Sequence, residues 1–391
     1  MKKGWPSARA AVGNRTSTVS ISSAGTVGVS SGEAGLSTRA LGHLPALDGL
    51  RGIAVIMVMI FHWFQRSTAP RGAFLASMGR FAPIGQTGVD LFFVLSGFLI
   101  TRILLNSRDD PHYFRNFYVR RALRIFPLYY GFIIVYALFL SSSYLSENRS
   151  SLWWLLLYAE NIRLTFGDES LTGLTHFWTL AVEEHFYLIW PLIVYVVAPG
   201  RLWVSVMTLV ALSIVSRILL LRSGYGVFHF TLCRLDGFAA GAIIACLEFG
   251  KGGLGRYRRP LLVGLVSVSV LAGFFWALTS GAGLEMVQIS KYTVVALVYG
   301  GVVGLVAAGF APGSPVAALL MLCPLRWCGM ISYGLYVFHP PCYHYANMLP
   351  LNDWASLMVS FGSSGVVAWL SHRFFESRFT ALKKRFASPC S

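Results

Sequence analysis

Apolar residues fall in ten long blocks along this chain, and polar residues gather between the blocks instead of alternating through them. A helix needs about 20 apolar residues to cross a bilayer core. The blocks near 46–65, 84–104, 125–141, 177–198, 203–221, 228–248, 261–279, 292–310, 327–346 and 354–372 each approach that length. They predict an all-α polytopic membrane protein with about ten transmembrane helices. Leu152 to Tyr158 is apolar but too short to cross, and is expected to lie at the interface or re-enter. Residues 1–44 are rich in Ser, Gly, Thr and Ala and hold no apolar core of signal-peptide length. They read as a disordered cytoplasmic tail, with a mis-assigned start as the alternative. A transmembrane domain over 45–378 and a basic cytoplasmic tail over 379–391 complete the division.

Composition sharpens this picture at two points. Only 12% of the 391 residues are charged, and the mean hydropathy is +0.62; soluble domains carry about 25% charged residues. The net charge of +16 would suggest nucleic acid in a soluble chain, but here its placement matters more. With the first tail inside, 23 Lys and Arg fall in the cytoplasmic connections and 7 in the external ones. That bias favours ten spans with both termini cytoplasmic in the cytoplasmic (inner) membrane, and no nucleic-acid partner. The six cysteines show no CxxC or ligand spacing, so neither a disulfide framework nor a metal site is expected.

Polar residues inside the blocks carry the candidate chemistry, because ionisable groups in a span are costly and default to function. In the first block Arg51 and His62 are eleven residues apart, which brings them within about 20° on a helix and roughly 16 Å apart in depth. Asp48, three residues before Arg51, shares that face. Counting inward from the span ends places Asp90, Glu183, Glu184, Arg217, Arg234, Asp236, His339 and His62 at one depth, as a polar chamber. Plainer readings stay open. Asp48 and Arg51 could be an interfacial pair, Arg217 could snorkel, and Arg234 and Asp236 could satisfy each other. Of Glu183 and Glu184, about 100° apart, one is expected to face the chamber. At the cytoplasmic mouth Arg121 and Arg124 share a helix face. Their guanidinium forks suit phosphate oxygens, although positive-inside anchoring explains them equally well.

Five motifs now line up. They are Leu47-Asp48-Gly49-Leu50-Arg51-Gly52 with His62, Gly88-Val89-Asp90 through Ser96-Gly97-Phe98, and Arg121-Ala122-Leu123-Arg124-Ile125-Phe126-Pro127. Phe177-Trp178 through Glu183-Glu184 and Ser332-Tyr333 through His339 follow. In this order they resemble the acyltransferase-3 family of integral-membrane acyltransferases, over about residues 45–378. The resemblance implies an O-acyltransferase, usually an O-acetyltransferase, moving an acyl group from acetyl-CoA or another acyl-CoA to a hydroxyl. The acceptor would be a cell-surface or exported glycan, or else a macrolide or other secondary metabolite. His185 stands where the family usually has Gln. Some members carry a further hydrolase-like domain after the spans, so a second esterase step would need a partner here.

Transfer from a thioester to an alcohol needs a base for the hydroxyl proton, and His suits that near neutral pH. His62 is the expected base. Glu183 or Glu184 would orient its imidazole or bind sugar hydroxyls. Arg51 would steady the donor arm or Asp48, and Arg121 and Arg124 would hold the CoA phosphates. Asp48, Asp90, Ser96, Arg234, Asp236 and His339 complete a substrate-binding or structural polar layer. A proton-coupled transporter would also bury such groups, but the chain shows no internal repeat. The charge bias makes a direct prediction. Reporter fusions after residues 70, 160 and 285 should face outside, and those after 110, 255 and the C-terminus inside; an inside signal at 160 would reverse the helix carrying Glu183.

Overall fold

The computed structural model describes residues 42–66, 72–139, 152–167, 174–250, 252–279, 284–311 and 313–386, so the expected N-terminal tail lies almost wholly outside the described residues. The helices in order are α1 (Pro45–Arg66), α2 (Ala73–Gly79), α3 (Ala82–Gly85), α4 (Gly88–Asn106), α5 (Tyr113–Phe139) and α6 (Glu160–Phe166). There follow α7 (Trp178–Val196), α8 (Leu202–Arg222), α9 (Leu235–Phe249), α10 (Arg258–Thr279) and α11 (Leu284–Ala307). The last five are α12 (Pro315–Leu320), α13 (Cys323–Met330), α14 (Ser332–Asn347), α15 (Asp353–Ser371) and α16 (Ser377–Leu382). No strand occurs among the described residues. The protein is an all-α polytopic membrane protein.

Among the described residues, eight helical segments are long and apolar enough to span a bilayer. The blocks at 228–248 and 327–346 fold differently from the other eight. The first is a 3-10 turn, Thr231–Arg234, leading into the 15-residue α9. The second breaks at Ile331 into α13 and α14, and α14 contains Pro340 and Pro341. Neither proline supplies an N–H, so the carbonyls one turn earlier, on Tyr336 and Val337, lose their helical donors. The apolar piece before α6 forms a short helix over residues 152–156.

α4 is the most enclosed span, while the segment Leu254–Phe274 has no buried residue in its most apolar stretch. The enclosure comes from backbone contact. A Cβ on Gly97 of α4 would collide with the backbone of Phe238, and one on Gly241 of α9 with the backbone of Val94. Small residues allow such an approach where lipid supplies no hydrophobic drive between helices. The glycines around Arg51 do the same for α1. Gly49 and Gly52 lie against the carbonyls of Leu320 and Leu325, and Gly329 lies against that of Asp48. The glycines of the first motif are therefore packing residues, which leaves Asp48 and Arg51 to carry any chemistry.

Residues 379–386 of the expected C-terminal tail are helical. A π-helical turn, His372–Glu376, links α15 to α16, and a 3-10 turn, Lys383–Phe386, follows it and packs on α5. The glycine contacts predict that Gly97→Ala and Gly241→Ala each destabilise the protein by about 1–3 kcal/mol through overpacking. Gly362→Ala, on an exposed face of α15 with open space around it, should be tolerated. Thermal unfolding of the purified variants, followed by size-exclusion chromatography, reads this difference.

Candidate functional site

His62 and His339, 277 residues apart in sequence, meet ring to ring. His62 Nδ1 lies 2.8 Å from His339 Nε2, with the rings stacked at 5.0 Å between centroids. His339 is fully buried, and its Nδ1 lies 3.0 Å from the carbonyl of Leu335. A carbonyl only accepts, so Nδ1 of His339 carries its proton and Nε2 offers the lone pair. His62 must then donate from Nδ1, which leaves the lone pair of the neutral His62 ring on Nε2. His62 is thus held by His339.

The arginines define a separate but adjoining space. A cavity of about 230 Å³ is lined by Arg51, Arg121, Arg124, Glu183, Ser96 and Tyr187, with Tyr333, Tyr336 and Thr179 and an apolar wall from α4. Ser96 Oγ donates to Glu183 Oε1 at 3.0 Å, and the Tyr187 hydroxyl donates to Oε2 at 3.0 Å. Arg121 lies over the rings of Tyr187 and Phe117 at 5.4 and 5.8 Å. Arg51, Arg121 and Arg124 form no ion pair among the described residues. Asp48 pairs instead with His43 at 3.0 Å. Glu183 therefore belongs to the arginine cavity, and the two polar levels expected from depth counting are joined at this residue. Glu184 points elsewhere and does not line the cavity.

His62 does not line it either. Tyr336 connects the two regions. It forms part of the cavity wall, its hydroxyl is 2.6 Å from the carbonyl of His176 and from Thr179 Oγ1, and its ring lies 5.8 Å from that of His339.

The remaining charges of the expected chamber are paired structurally, in a different order from the sequence expectation. Arg234 Nη2 binds Asp90 Oδ1 at 2.6 Å, and its guanidinium lies 4.1 Å from the ring centroid of Tyr292, a cation–π contact. Arg217 binds Asp236 at 2.8 Å and Thr293 at 2.6 Å, and Thr293 Oγ1 also donates to Asp236. Arg234 and Asp236 do not pair because residues two apart on a helix point away from each other. Arg217 does not snorkel; it is fully buried. His185, the departure from the usual Gln, has its Nδ1 2.7 Å from the hydroxyl of Thr231, which accepts from Asn161 Nδ2.

Sequence reading missed Tyr187 and Tyr336, although a signal was present. Tyr187 is one turn beyond Glu183, and Tyr336 is three residues before His339, so each shares a face with its neighbour. Among the described residues no group of three His, Cys, Asp or Glu side chains is placed to hold a metal.

A family model described as an acyltransferase domain matches residues 44–373. The peptidoglycan O-acetyltransferase OatA of Listeria monocytogenes is 29% identical over 364 residues, covering 86% of this chain and 55% of that protein. The O-acetyltransferase OatA of Staphylococcus aureus is 25% identical over 366 residues, covering 86% and 57% respectively. The chain thus spans about half the length of these curated relatives. No solved structure matches it. With the match running through every motif and both histidines, the chain belongs to the acyltransferase-3 family.

Proposed function

We propose that this protein is an O-acetyltransferase of the cytoplasmic membrane that moves an acetyl group from acetyl-CoA to a hydroxyl of a cell-surface glycan. The observation that carries this reading is the arginine-lined cavity ending at Tyr336, beside the His62–His339 pair. The peptidoglycan O-acetyltransferase named among the relatives supports a glycan acceptor.

The residues divide the work by depth. In the orientation favoured by the charge bias, Arg121 and Arg124 stand at the cytoplasmic end, where they suit the donor's phosphates. The cavity takes the donor's arm, with Arg51 beside it and Glu183 fixing Ser96 and Tyr187 in the wall. His62 Nε2 takes the proton from the acceptor hydroxyl, and the oxygen attacks the thioester carbonyl. The C–S bond breaks as the tetrahedral carbon collapses, and the departing thiolate receives the proton from His62. His339 holds the ring through Nδ1 and shares the charge of the imidazolium while it lasts. This is a positioning role.

With purified protein, acetyl-CoA and a glycan acceptor, His62→Ala should lose about 10²–10⁴-fold in transfer rate. His339→Asn should lower kcat with the acetyl-CoA KM held; a rise in KM instead would make the pair a binding feature. A transporter would release no CoA in this assay, which contains no membrane gradient. Arg121→Ala and Arg124→Ala should each weaken the donor by about 1.5–3 kcal/mol, the range for hydrogen bonds to charged groups. Unchanged donor dependence in both variants would return them to topological anchoring.

A further inference from the structure

A second cavity, of about 160 Å³, adjoins the first. Arg121, Arg124 and Ile103 line both, while Arg120, Lys383 and Asn116 line only the second. Lys383 lies ten residues beyond the stretch that matches the family, in the 3-10 turn packed on α5. No carboxylate lines this space. Two acids close to its lining residues are already engaged. Asp110 accepts from Asn116 Nδ2 at 2.9 Å, and Glu376 accepts from the Ser371 hydroxyl at 3.0 Å. None of Arg120, Arg121, Arg124 and Lys383 has an ion pair among the described residues.

We propose that this second cavity binds the phosphomonoester at the nucleotide end of the donor, with Lys383 and Arg120 as its contacts. The proposal rests on the acyl-CoA reading above and deepens it. The order of the cavities matches the order of groups along that donor. The first cavity, mostly apolar, suits the thioester arm. The shared pair Arg121 and Arg124 falls where the arm meets the diphosphate. Arg120 and Lys383 lie past that junction, where the only remaining anionic group is the monoester. The volume suits a phosphate and leaves the base outside.

Burial pushes the Lys383 amine down to about 7, and Arg124, Arg121, Arg120 and Arg51 push in the same direction. Arg51, Arg120, Arg121, Arg124 and Glu376 are the charged groups facing it. Four arginines and Lys383 against the one carboxylate of Glu376 leave an excess of positive charge that is costly when the site is empty and is relieved by a phosphate. Binding raises the amine's pKa, so affinity is greatest below pH 7 and falls as pH rises through it.

The test uses the full chain in nanodiscs of neutral lipid, with acetyl-CoA and acetyl-dephospho-CoA compared as donors. The wild type should show a KM roughly tenfold lower for acetyl-CoA, the size of one charge-assisted contact. Lys383→Gln and Arg120→Gln should erase that preference, and Lys383→Arg should keep it. From pH 6 to 8 the wild-type Kd for adenosine 3′,5′-bisphosphate should rise about tenfold relative to Lys383→Arg, a comparison that cancels the ligand's own titration. Equal KM values for the two donors in the wild type, or an equal loss for both in Lys383→Gln, would overturn the proposal. So would displacement of the bisphosphate by anionic-phospholipid nanodiscs, which would make the cavity a headgroup site. If neither thioester releases CoA, the donor reading itself fails, and the proposal fails with it.

Discussion

A charge inside a membrane must find its counter-charge within the protein, because lipid offers none. That constraint sorts the ionisable groups of this chain into two sets. Arg217 and Arg234 sit deep in the bundle and are matched by Asp236 and Asp90 at 2.8 and 2.6 Å. The first pair joins the successive helices α8 and α9, and the second reaches back 144 residues to α4. Breaking either would strand a buried charge, which costs about 3–5 kcal/mol. Arg51, Arg121 and Arg124 are different: they share one cavity with a single carboxylate, that of Glu183. The excess of positive charge at that end is what the proposed binding of an anionic donor rests on.

Much of this was legible in the chain. Apolar block length marked the spans, and the eleven-residue spacing put Arg51 and His62 on one face of α1. The motif running through Glu183 led to the right helix, although only packing shows that Glu183 and not Glu184 meets the cavity. The pairings were harder. Arg234 and its partner Asp90 are 144 residues apart, and no local pattern links them. The rejected pairing of Arg234 with Asp236 could have been ruled out from helical geometry, since two residues advance about 200°.

The histidine pair was hidden for the same reason. His339 was recognisable as a polar residue in an apolar block, but its contact with His62 depends on how α14 packs against α1. The prolines following His339 mark a helix that departs from regular geometry. They did not reveal which ring nitrogen would face which neighbour. Lys383 was less legible still. It sits in a run that reads as a solvated basic tail, and only the fold of residues 372–386 brings it to α5.

The glycine crossing of α4 and α9 constrains how the protein can move. Backbone packed on backbone leaves no side chain free to change rotamer and create a gap. The ion pairs tie α8 to α9, and the turn before α9 to α4. α14, with its two prolines, and α5, with Pro127 within it, face the cavity from the opposite side. The cavity wall therefore sets the glycine-packed α4 beside the proline-bearing helices α5 and α14, whose backbones each lack helical hydrogen bonds at those prolines.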